Sequence, residues 1–151
     1  MEARMRHPLM LVPNAMHAAV ALGEAVKQSG LPEKTRSLIH LRASQINGCS
    51  YCVDMASREL REAGDTEQRI SAVAAWRDTP WFTDAERAAL SLTEAATRLS
   101  DRTEPVPDAV WKEAASHLDE PSLAAVLTQV GMTNFWNHIN VAIRQGPGGE
   151  K

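Results

Sequence analysis

Cysteine is scarce in this chain, with only Cys49 and Cys52 among 151 residues, which excludes a disulfide framework. A structural zinc site needs about four ligands. With no further cysteine and only five histidines (His7, His17, His40, His117, His138), no metal is expected. Long apolar runs are missing, and so is the apolar segment of a signal peptide, so the expectation is a cytoplasmic protein with no membrane partner. Neither sign of charge dominates, and the formal net charge of −3 argues against a general nucleic-acid binder. No alternating β-branched stretch is long enough for a strand. There is no glycine-rich dinucleotide fingerprint after a strand and no P-loop, so no cofactor is expected.

What remains is helix. The length fits one domain with a core of its own. Ala/Leu/Glu/Arg-rich segments predict a first helix from Pro13 to about Gln28 and a second from Pro32 to Ile46. A third runs from Cys49 to Ala63, closed by Gly64. A fourth follows Asp65 or Thr66 and breaks at Asp78-Thr-Pro80. Thr83 and Glu86 have the form of a capping box opening a fifth helix to about Leu99. Pro105-Val-Pro-Asp108 starts a short helix through His117, and Asp119-Glu-Pro121 launches the last. In that helix Leu123, Leu127, Val130, Asn134, Asn137 and Val141 recur at helical spacing. The domain is expected to span 1–145, with 146–151 a frayed tail.

The two cysteines stand at a helix start. Asn47-Gly48 ends one helix and Cys49-Ser-Tyr-Cys52 begins the next. A thiol in a first helical turn meets unpaired backbone N–H groups and the positive end of the helix dipole, both of which favour the thiolate. Two sulfurs three residues apart can close a local disulfide. The placement points to redox chemistry.

The surrounding string is specific. Leu41-Arg-Ala-Ser-Gln-Ile-Asn-Gly-Cys-Ser-Tyr-Cys-Val-Asp-Met55, with the later Ala74-Ala-Trp-Arg-Asp-Thr-Pro80, Phe82-Thr-Asp-Ala-Glu-Arg-Ala-Ala-Leu90 and Trp136-Asn137, resembles the AhpD-like family of carboxymuconolactone decarboxylases and alkylhydroperoxidases over most of the chain. The resemblance implies an all-α AhpD-like helical bundle assembled as a homotrimer or homohexamer. It implies that Cys52 attacks a peroxide, that Cys49 resolves the product to a disulfide, and that an external dithiol reduces the pair. It also implies a proton relay: a glutamate twelve residues before the first cysteine and a histidine four residues after the second.

Both relay positions depart from that pattern, with Ser37 and Ala56 in their places. Both replacements are small, so the expectation is an enlarged, neutral pocket beside Cys52 and thiols without their usual base. Three functions follow. One is an alkylhydroperoxidase-like thiol–disulfide oxidoreductase impaired by the loss of its relay. Another is a scaffold, natural or engineered, whose enlarged pocket acts on a small organic substrate through Cys52 as nucleophile or His138 as base. The last is an oligomeric relative without catalysis.

The remaining candidates have plainer alternatives. His138 is either a substitute base or a histidine bonded to backbone, and the second is commoner. His40, one turn after Ser37, is either a base or a satisfied core histidine. Tyr51 either lines the site or packs on a neighbouring subunit. Ser37 either binds a ligand or bonds back to its helix. Trp136 has the best claim of the four tryptophans to line a pocket.

Overall fold

The computed structural model describes residues 2–148. Those residues hold seven α-helices and no strand: α1 (Ala15–Lys27), α2 (Glu33–Asn47), α3 (Ser50–Glu62), α4 (Glu67–Ala72), α5 (Asp84–Thr97), α6 (Asp108–His117) and α7 (Glu120–Ile143). Two 3-10 turns, Pro8–Met10 and Val73–Asp78, complete the order. The expected fourth helix is therefore split. It tightens after Ala72 and kinks at Ala75, whose backbone is not helical. Of the expected tail 146–151, residues 149–151 lie outside the described residues.

Local chemistry explains most of the boundaries. Thr83 and Glu86 close the reciprocal capping box that starts α5. The Asp119 side chain accepts from the Ser122 amide at the start of α7. Pro32 and Cys49, expected inside their helices, instead stand at the N-cap positions of α2 and α3.

Helix α2 is the hub, packed against α3, α5 and α7. Its apolar residues divide between two cores. Ile39 joins Ala89, Leu92, Ala114, Val126 and Val130 in one. Leu38 and Leu41 join Ala56, Leu60, Val73, Trp76, Phe82 and Leu90 in the other. Of the residues at helical spacing on α7, Leu123, Val130 and Asn137 are buried while Leu127 and Val141 are exposed, and Val126, Thr133 and Asn140 are buried beside them. The inner face is Leu123, Val126, Val130, Thr133, Asn137 and Asn140, at spacings of three and four. This register turns two asparagines toward the cysteines.

Candidate functional site

The site is built where α2 stops and α3 starts. Gly48 adopts φ +67°, a left-handed conformation that costs a residue without Cβ little. The Cys49 amide folds back onto the Ser44 carbonyl at 3.0 Å, closing α2 with the six-to-one bond of a Schellman motif. Cys49 becomes the N-cap of α3 and Cys52 lies in its first turn. Both thiols are free and buried, 1 % and 2 % exposed.

A polar network fixes α7 across this junction. The Asn47 side-chain amide donates to Asn134 Oδ1 at 2.7 Å and to Asn137 Oδ1 at 2.9 Å. Asn137 Nδ2 donates to Ser44 Oγ at 3.0 Å. One turn further along α7, Asn140 Nδ2 donates to Cys52 Sγ at 3.4 Å. An N–H aimed at sulfur favours the thiolate.

A titratable neighbour of Cys52 comes from α2. His40 Nδ1 lies 3.1 Å from Glu59 Oε2, with side-chain exposures of 12 % and 37 %, and Cys52 is the other group that acts on its ring. Burial works against a charged ring, but Cys52 and Glu59 outweigh it and raise the His40 pKa to about 9. The Cys52 pKa falls to about 4. The hydrogen bond from Cys49 is the largest cause; burial opposes it, and His40 and Asn140 add to it. Cys49 moves the other way: the thiol that donates to a neighbouring thiolate holds its proton, and burial adds to the effect. Near neutral pH the site is a Cys52 thiolate beside a His40 imidazolium, with Cys49 as the protonated partner.

Where the resemblance implies glutamate at position 37 and histidine at 56, this chain carries histidine at 40 and glutamate at 59, each three residues and so about one turn later. Ser37 and Ala56 hold the usual relay positions, and a histidine–glutamate pair stands about one turn away from them. The expectation of an enlarged pocket is corrected, because Ala56 is fully buried in the core with Leu38, Leu41 and Leu60. Ser37 is buried as well.

The other candidates are placed apart from this chemistry. His138 is exposed, and its Nδ1 bonds the Asn134 carbonyl at 2.7 Å. The Trp136 ring meets His7 and Phe135, with centroids 5.9 and 5.6 Å away. Tyr51 is half-buried. Asp54 forms a surface ion pair with Arg58 at 2.8 Å. Sequence reasoning missed Glu59, Ser44 and Asn140. For Glu59 the available signal was its place two turns after Cys52, on the same helix face.

A cleft of about 190 Å³ opens beside Cys49, walled by Gly48, Cys49, Ser50, Asn140, Val141, Arg144 and Gln145. Cys52 is not part of that wall. A second cleft, about 220 Å³, lies over Trp76 and Arg77 and holds no cysteine or histidine.

Comparison with known proteins places the chain. The Carboxymuconolactone decarboxylase family profile matches residues 13–95. An uncharacterized Bacillus subtilis protein, YdfG, is 34% identical over 133 residues, covering 88% of this chain and 89% of its own. A crystal structure of an Agrobacterium tumefaciens protein of unknown function, described as a candidate AhpD antioxidant defence protein, superposes with a TM-score of 0.90 at 34% identity, over 99% of this chain and 100% of that one. The debrominase Bmp8 shares the fold at 19% identity, with a TM-score of 0.81 over 91% and 73% of the two chains. The family thus includes enzymes, and the all-helical fold is the AhpD-like one. This chain belongs to the carboxymuconolactone decarboxylase family.

Proposed function

We propose that the protein is a thiol–disulfide oxidoreductase that reduces a peroxide at Cys52. The observation that carries this reading is the line Glu59–His40–Cys52–Cys49, which supplies a thiolate, a proton donor held in place by a carboxylate, and a second thiol. The Cys52 thiolate attacks the distal peroxide oxygen and the O–O bond breaks. His40 delivers its proton to the departing oxygen, leaving a sulfenic acid on Cys52. Cys49 then attacks that sulfur, water leaves, and a disulfide forms. An external dithiol restores both thiols.

Support comes from the polarity of the pair. The sulfur with the lowered pKa is the one that both His40 and Asn140 act on, so nucleophile and resolving thiol are distinguished by their surroundings. The buried Ala56 leaves little room for a large organic substrate beside Cys52. The test is peroxide consumption coupled to a dithiol. Cys52→Ser abolishes it, Cys49→Ser permits one turnover and then stops, and His40→Gln slows it about 10²–10⁴-fold. Equal steady-state rates in Cys49→Ser and the parent protein would contradict disulfide cycling.

Self-association belongs to the same proposal. Leu11, Val12, Val20 and Leu22 near the N-terminus, and Phe135 on α7, are exposed apolar side chains. A homo-oligomer, trimeric or hexameric, would cover them. No described helix is long and apolar enough to cross a membrane, and dithiol-dependent turnover suits the reducing cytoplasm.

A further inference from the structure

The cleft beside the sulfurs has a chemical character that peroxide reduction does not use. Its wall holds Cys49 but not Cys52. Ser50 opens α3 there, where first-turn amides have no acceptor within the helix and the dipole is positive. Arg144 ends α7 at φ +58°, is exposed, and has no ion-pair or hydrogen-bond partner for its guanidinium among the described residues. Asn140 is 3 % exposed; its amide nitrogen points at Cys52, and its Oδ1 is buried without a partner. A fixed cation and a helix start thus meet at the cleft beside Cys49, together with a residue whose buried acceptor has no partner.

We propose that this cleft admits the reductant, an anionic small-molecule thiol or dithiol, and that it attacks Cys49 rather than Cys52. The inference rests on the thiol–disulfide reading. The reductant thiolate bonds to Cys49 Sγ, the Cys49–Cys52 bond breaks, and the electron pair leaves on Cys52 Sγ. A second thiol, from the same dithiol or another molecule, loses its proton and attacks the reductant's bonded sulfur. Cys49 departs and is protonated. Two reductant thiols end as one disulfide, and the protein disulfide ends as two reduced sulfurs. The direction agrees with leaving-group chemistry, since the sulfur held by His40 and Asn140 is the one that leaves best as thiolate. Arg144 and the α3 start favour a carrier with a negative group.

The experiment uses the full chain, oxidised with diamide, with disulfide formation confirmed by intact mass. It is mixed with 2-mercaptoethanesulfonate or with neutral 2-mercaptoethanol, quenched in acid and sequenced by fragmentation mass spectrometry. The adduct is expected on Cys49, with the sulfonate thiol reacting roughly 3- to 10-fold faster at low ionic strength. That preference disappears in Arg144→Asn, a residue tolerated in the left-handed region, and returns in Arg144→Lys. An adduct mainly on Cys52, or no charge preference in the parent protein, overturns the inference. Failure of diamide to form the disulfide overturns both this and the functional reading. A disulfide that forms with diamide but not with peroxide overturns peroxide reduction alone.

Discussion

At the scale of single residues, the chemistry depends on which sulfur carries the charge. Cys52 has a pKa of about 4 in the fold, far below the ~8.5 of an unfolded thiol. Its contribution to stability is full above the unfolded value and is lost as pH falls through about 4. His40, raised to about 9, contributes fully below its unfolded value of ~6.5 and loses that contribution as pH rises through about 9. Between roughly 6.5 and 8.5 the two slopes oppose each other. Below 6.5 only the cysteine's slope remains. Acidification from pH 6.5 toward 4 therefore weakens the parent protein relative to Cys52→Ser. Urea denaturation at a series of pH values checks this, and parallel curves for the two proteins would contradict it. Glu59→Gln keeps the shape of the partner but removes its charge, so it lowers the His40 pKa and shifts the pH–rate profile more than it changes the packing.

At the scale of elements, the asparagine network joins α7 to the α2–α3 junction. Asn137→Ala removes its bonds to Ser44 and Asn47 and leaves buried polar atoms unmatched, a loss of about 1–3 kcal/mol measurable by chemical denaturation. Because the same helix carries Asn140, peroxide consumption falls as well. Putting the histidine implied by the resemblance at position 56 does the reverse of a rescue. Ala56 is fully buried among leucines, so Ala56→His costs about 1–3 kcal/mol through overpacking alone and does not increase activity.

The same helices show what was readable in advance. The glycine turn, the capping box at Thr83 and the helix order are local signals and are legible in the chain, whereas the starts at Pro32 and Cys49 fall one residue outside their helices. The inner face of α7 is only partly legible in the chain. Two phases, one through Leu127 and Val141 and one through Val126 and Thr133, are both apolar enough in sequence, and only packing against α2 decides between them. The pairing of His40 with Glu59 is illegible for a related reason. His40 and Glu59 are nineteen residues apart and meet only because α2 and α3 pack together, so no spacing rule within one helix pairs them. Ser37 and Ala56 drew attention as vacancies, although the fold fills those positions.

At the scale of the whole molecule, a 151-residue chain leaves several large apolar side chains exposed, Val12, Val20, Trp111 and Phe135 among them. Sedimentation equilibrium is expected to give a multiple of the 16.5 kDa chain mass, with three or six copies favoured. A charged substitution such as Phe135→Glu shifts the population toward smaller species. A monomer at tens of micromolar would remove self-association from the account while leaving the chemistry of the cysteine pair intact.

The central claim is that Cys52 is held as a thiolate by His40, itself oriented by Glu59. The direct measurement is thiolate absorbance at 240 nm followed against pH in the reduced protein. The account predicts one thiolate whose signal is lost only near pH 4, absent in Cys52→Ser and with its midpoint moved upward in His40→Gln. A midpoint near that of an ordinary thiol, ~8.5, unchanged by the His40 substitution, would contradict it.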